Sequence, residues 1–170
     1  IKIGGCGAVR DIFEAKEAGA GVIVAPMIES VYALKKFVSS VEEVYNNFAE
    51  SPDLFINIET EQGVLNFSKI VSSDEFDKIT GVVIGRNDMA KSYGIEDAEN
   101  DLIRKNISVI ANKANKCGKK VIVGGKIMPE SKLLQLPPFV QCETRKIVFE
   151  NIPDSVGILK ALEFETFFIE

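Results

Sequence analysis

A chain of 170 residues with 46% hydrophobic and 26% charged residues and a formal net charge of −5 suits one folded domain with a real core, not a disordered segment. The acidic balance excludes a general binder of nucleic acid or anionic membrane, either of which needs a basic surface, and no apolar run approaches the ~20 residues that span a bilayer. The chain has no histidine, which removes Ser-His-Asp and Cys-His nucleophile pairs, histidine general bases and histidine metal sites; a metal here must be held mainly by oxygen or thiolate.

The elements are predicted in chain order. The chain opens Ile1-Lys2-Ile3, without methionine and already inside a strand over Ile1 to Gly5, and so reads as part of a longer protein. Val9, Ile12, Phe13 and Ala15 then form a helical apolar stripe closed by Gly19, since glycine favours the left-handed turn that ends helices. A second strand, Val22 to Pro26, precedes Ser30, a good helix N-cap, and the stripe Val31, Leu34, Phe37 and Val38. Further strands are predicted at Leu54 to Glu59, Gly81 to Gly85, Val121 to Gly125 and Phe139 to Cys142, and the longest helical stripe runs from Leu102 through Ile103, Ile107, Ile110 and Ala114 to near Gly118. Pro129 and Ser131 open a short helix that Pro137-Pro138 stops. A final helix covers Asp154 to Phe168, with Val156, Leu159, Leu162 and Phe167 available for burial.

Near-continuous apolar strands alternating with helices, without hairpin signals, predict βαβ units and a parallel sheet buried on both faces. Either a doubly wound sheet or a β/α barrel fits. About six strand–helix units fall short of the eight units and roughly 250 residues of a full barrel, so one barrel domain over residues 1–170 is expected, lacking its N-terminal units. The three cysteines, Cys6, Cys117 and Cys142, show no CxxC spacing and fit reduced thiols of a cytoplasmic protein.

In both architectures sites gather at the carboxyl ends of strands. There the sequence places Lys2, Glu29, Glu59-Thr60, Arg86-Asn87-Asp88, Gly124-Gly125-Lys126 and Glu143-Thr144-Arg145. Glu59 and Asp88 follow consecutive strands, one βαβ unit apart. Two neighbouring carboxylates share a proton or bind a cation, and a hard ion such as Mg²⁺ takes one or two of them with water and substrate oxygens. The alternative is that Glu59 pairs with a lysine and Asp88 caps a helix starting at Met89. Gly85, Asn87 and Gly124 either allow close approach of a substrate carboxylate or form tight turns. Cys6 and Cys142 read as small buried residues rather than nucleophiles.

The run Ile58-Glu59-Thr60-x-x-Gly63-Val64-x-Asn66, followed by Gly81-Val82-Val83-Ile84-Gly85-Arg86-Asn87-Asp88-Met89-Ala90-x-Ser92-x-Gly94, resembles the HpcH/HpaI aldolase and citrate lyase β-subunit family. Lys2-Ile3-Gly4-Gly5, Ala25-Pro26-Met27-Ile28-Glu29-Ser30 and the Glu143-Thr144-Arg145 region fit neighbouring strand ends, so the resemblance covers essentially the whole chain. It implies a phosphoenolpyruvate/pyruvate-type barrel, of which this chain supplies the last six strands. Glu59 and Asp88 would hold Mg²⁺ or Mn²⁺, and the reaction would be carbon–carbon cleavage of a 2-oxo acid or acyl-CoA derivative through an enolate. Lys2, Arg86 and Arg145 are the candidate catalytic cations. Lys2 stands where the family usually has arginine, and a point charge replaces a planar fork there; it is either a substitute cation or a solvated terminal lysine. Arg86 either meets a substrate carboxylate or pairs with Glu29 or Glu59. The resemblance also implies a homo-oligomer, to which the aromatic-rich end of the last helix, residues 153–170, would contribute. The competing reading is a non-catalytic barrel module for assembly or ligand binding.

Overall fold

The computed structural model describes residues 1–46, 51–125, 127, 137–143, 148–149 and 155–167. The predicted alternation is realised as α1 (Val9–Glu17), β1 (Val22–Ala25), α2 (Val31–Tyr45), β2 (Asp53–Ile58), α3 (Glu61–Val71), a 3₁₀ turn (Asp74–Lys78), β3 (Gly81–Gly85), α4 (Arg86–Ser92), α5 (Asp101–Lys116), β4 (Lys120–Gly124), β5 (Val140–Glu143), β6 (Val148–Phe149) and α6 (Ser155–Phe167). Local chemistry sets the boundaries. Ser30, Thr60 and Asn100 accept the hydrogen bonds of Ala33 N, Gly63 N and Leu102 N and so cap α2, α3 and α5. Gly19 takes φ +68° just beyond α1, as expected of a helix-ending glycine.

The strands lie in the order β1-β2-β3-β4-β5-β6, and the pairs from β1 to β5 are parallel. Spatial order equals chain order, with no reversal. A doubly wound sheet reverses at a switch point, whereas a β/α barrel does not. The fold is therefore a TIM-type β/α barrel arrangement.

Alternation divides the sheet into two faces. Ala25, Ile56, Val82, Val121 and Val140 share one register row, and Ile58, Ile84, Val123 and Cys142 share the next. Both rows are buried in one core with Ile12, Leu34, Phe37, Phe67, Ile103 and Ile107 of the helices. The opposite face carries Asn57, Val83, Ile122 and Gln141 in one row. The row beyond it, at the carboxyl ends, contains the paired Gly85 and Gly124. Glu59 directly follows Ile58 and Glu143 directly follows Cys142, both of the second core row, so the two acids flank the glycine pair.

The structure corrects several expectations. The first strand shrinks to one parallel bridge, Lys2 to Val24, because Gly4-Gly5 and the following turn carry the chain off the sheet edge. The sheet is not wholly parallel, since β6 runs antiparallel to β5. Only residues 144–147 separate these strands, too few for a parallel crossover of a dozen or more residues. Asp88 does not cap a helix beginning at Met89; α4 begins at Arg86, capped by Gly85, and Asp88 sits in its first turn. Phe13, Leu102, Val156 and Leu159 are exposed, because the adjacent Ile12 and Ile103, and Ala161 in α6, face inward instead. The helix expected after Pro129 lies outside the described residues, as do Lys126, Thr144, Arg145 and the side chain of Phe167.

Candidate active site

Glu59 is the centre of the carboxyl-end row. It is 2% exposed, and a buried carboxylate requires partners. Met27 N donates to Oε1 at 3.1 Å and Asn57 Nδ2 to Oε2 at 2.9 Å. The first donor comes from a residue at φ +50°, a costly backbone state for a non-glycine residue. The second comes from the same face of β2 two residues earlier. Lys2 Nζ lies 3.6 Å from Oε2, reaching in from the sheet edge. Lysine thus pairs with Glu59 as the simpler reading expected, yet this pairing leaves further lone pairs on both oxygens.

Gly85 is the floor under this carboxylate. A Cβ there would stand 2.7 Å from Glu59 Oε2 and 2.9 Å from Glu59 Cβ; any side chain would force the acid to shift. Gly124 does the same for Glu143, where a Cβ would meet Oε1 at 2.6 Å. Two acids therefore lean inward from β2 and β5 over two glycines of β3 and β4. Burial raises the Glu143 carboxyl above the usual carboxylate range, and the charge of Lys2 partly offsets this. Lys2, paired with Glu59, thus also exerts its charge on Glu143. The sequence reading placed Glu143 after a strand but gave it no role. The signal was the period-two pattern of Val140-Gln141-Cys142-Glu143, in which the apolar residues face the helices and the polar ones the site.

Asp88 is half-exposed in the first turn of α4, at the end of β3, with Lys91 Nζ 3.6 Å away. Asn87 is half-buried beside it, and Gly125, at φ +93°, packs against the backbone nitrogens of Arg86 and Asn87. Arg86 pairs with neither Glu29 nor Glu59. It is 1% exposed, donates from Nε and Nη2 to Gly125 O at 3.0 and 2.6 Å, and donates from Nη1 to Glu99 at 2.6 Å. These bonds tie the end of β4 to the start of α4. Other motif residues hold the rim. The Thr60 hydroxyl donates to Glu29 at 2.7 Å, Asn66 Nδ2 to Glu29 O at 2.8 Å, and Glu61 N to the Ser92 hydroxyl at 2.7 Å.

Among the described residues no three His, Cys, Asp or Glu side chains cluster as a metal site. What is present is a fixed carboxylate, Glu59, and a loosely held one, Asp88, at adjacent strand ends. The Asn57 Oδ1 atom is also buried, with no hydrogen-bond partner among the described residues. Two oxygen donors with open positions suit Mg²⁺ or Mn²⁺, which keep water and substrate oxygens in their shell. The donor set fits such an ion.

A sequence profile of the HpcH/HpaI aldolase/citrate lyase family matches residues 7–123. The chain belongs to that family. Family members of known structure share the fold. An HpcH/HpaI aldolase/citrate lyase family protein from Burkholderia cenocepacia superposes with a TM-score of 0.66 at 12% identity, covering 99% of this chain and 72% of that one. RipC from Yersinia pestis also gives 0.66, at 18% identity, covering 95% and 74%. CitE from Mycobacterium tuberculosis, crystallised with magnesium and acetoacetate, gives 0.55 at 18% identity and covers 74% of this chain. The chain spans half the length of that CitE protein. No curated protein matches the sequence. No helix among the described residues is long and apolar enough to cross a membrane.

Proposed function

We propose that this member of the HpcH/HpaI family carries the metal and enolate end of a carbon–carbon lyase site acting on a 2-oxo acid or an acyl-CoA derivative. The observation that carries the reading is the Glu59 carboxylate, buried, fixed by two donors and seated on Gly85, one strand from Asp88. The magnesium and acetoacetate bound by the CitE relative support a divalent ion with a small oxo acid as ligand. Bound at Glu59 and Asp88, Mg²⁺ or Mn²⁺ would act as a Lewis acid toward the substrate's oxygens.

The chain's own residues supply the remainder. Met27 N and Asn57 hold Glu59 in one orientation, so no reorganisation is needed when charge develops. Lys2 offers a positive charge on the same side and can neutralise a substrate carboxylate or enolate. Gly85 and Gly124 let the Glu59 and Glu143 side chains lie against the backbone, which leaves the carboxylates to face a bound oxo acid, with Asn87 at the border. Arg86 holds Gly125 and the start of α4, and through them Asn87 and Asp88. Arg145, which the family resemblance makes a further cation, completes the proposed set.

The test is a Mn²⁺ titration followed by electron paramagnetic resonance, with and without oxalate as a mimic of pyruvate enolate. Wild-type protein should bind Mn²⁺ with a signal sharpened by oxalate. Glu59→Ala with Asp88→Ala should weaken binding by more than the roughly 10–100-fold that loss of an outer-shell partner costs. Unchanged Mn²⁺ affinity in the double variant would refute the reading.

A further inference from the structure

The barrel face holds a second inward acid that the proposed metal chemistry does not use. Glu143 ends β5 and leans over Gly124 as Glu59 leans over Gly85. It is half-buried and receives no hydrogen bond from another described residue. Glycine at 124 is required for its position, since any Cβ would fall within 2.9 Å of Glu143 Cγ and 2.6 Å of Oε1. Among the described residues, none gives this carboxyl a hydrogen bond, and it lies close over a side-chain-free floor.

Cleavage of a 4-hydroxy-2-oxo acid through an enolate needs a group that carries one proton. The hydroxyl must lose it as the carbon–carbon bond breaks, and the enolate carbon must gain one. No histidine exists in the chain to do this. We infer that Glu143 is the proton-carrying residue of the site. Its carboxylate takes the hydroxyl proton as the C–O becomes a carbonyl and the bonding pair of the broken C–C bond enters the oxo-acid fragment as an enolate. The same proton then passes from Glu143 to the enolate carbon, which leaves the residue ionised as it began. The inference rests on the proposed lyase function.

Among the described residues, the charged and titratable groups around Glu143 are Lys2 from the sheet edge, Cys142 on its own strand and, beyond Lys2, Glu59. Burial raises the Glu143 carboxyl above its ordinary value, against the lowering charge of Lys2, which is the direction that favours proton carrying. The same burial makes its charge unfavourable to folding, so Glu143→Gln should melt no lower than the wild type.

The experiment follows exchange of the pyruvate methyl protons with D₂O by proton NMR, with Mn²⁺ present, in wild type, Glu143→Gln and Glu143→Asp. Oxalate-sharpened Mn²⁺ resonance is recorded on each protein. Glu143→Gln should lower exchange about 100-fold or more and abolish the acidic limb of its pH profile, while the Mn²⁺–oxalate signal persists. Glu143→Asp, a methylene shorter, should keep part of the exchange with a displaced limb, and it decides the matter if the glutamine variant does not fold. Wild-type exchange and pH profile in Glu143→Gln would overturn the inference. So would loss of the Mn²⁺–oxalate signal in Glu143→Gln, which would make the residue a ligand or a positioning group. No Mn²⁺–oxalate signal in the wild type would overturn the lyase function first, and this inference with it.

Discussion

At the scale of single residues, the site is defined by what two glycines leave out. Alanine at 85 would place a methyl group 2.7 Å from Glu59 Oε2, and alanine at 124 would place one 2.6 Å from Glu143 Oε1. Overpacking of this kind costs about 1–3 kcal/mol. The two substitutions should separate the roles of the acids. Gly85→Ala should weaken Mn²⁺ affinity roughly 10–100-fold, as loss of ligand orientation does. Gly124→Ala should leave that affinity near wild type and lower methyl-proton exchange; parallel resonance and NMR measurements on the pair test this. Glu59 was legible in the sequence because an acid ending an apolar run can only sit at a strand's mouth. The fate of Arg86 was not legible. Its partner, the carbonyl of Gly125, lies 39 residues away, and nothing local distinguishes a guanidinium aimed at solvent from one folded back on a neighbouring strand.

At the scale of elements, Arg86 is the joint between β4 and α4. Removing it takes the Arg86 hydrogen bonds from the Gly125 carbonyl and the Glu99 carboxylate. Glu99 retains access to water, so the cost is below that of breaking a fully buried pair. Arg86→Met should destabilise the protein by about 2–3 kcal/mol and lower Tm by roughly 2–4 °C for each of these, read by thermal denaturation. The helices and parallel strands were readable because their signals are local: Ser30 as a cap, the Val82-Val83-Ile84 run, the stripe from Ile103 to Ala114. The antiparallel β6 was not, because two residues carry no periodicity. The apolar positions of α6 misled for a related reason. Val156 and Leu159 satisfy a helical period, yet among the described side chains it is Ala161 that is buried and Leu162 that packs on the core.

At the scale of the molecule, one core on the helical side supports one polar row on the other, and Cys142 lies at their boundary. Burial pushes its thiol up to about 11, against the lowering influence of Arg86. In an unfolded chain the thiol titrates near ~8.5, so the folded state binds this proton more tightly. The stabilisation is complete below that pH and is lost as pH rises toward the folded value. Calorimetry from pH 8 to 10.5 should therefore show Cys142→Ala losing less of its Tm than the wild type. At pH 7.5 a maleimide should label the exposed Cys117 rapidly and Cys142 only on unfolding.

The row Glu59-Gly85-Gly124-Glu143 has one more consequence. Its members are spaced by hydrogen-bonded neighbouring strands, each ~4.8 Å from the next, so the backbones of the two acids stand about 14 Å apart by a measure that no loop sets. The barrel ladder acts as a ruler for the chemistry, and the connections at its rim are free to lengthen, shorten or change composition. Lineages built on this frame can thus exchange what they recognise while the acids keep their separation.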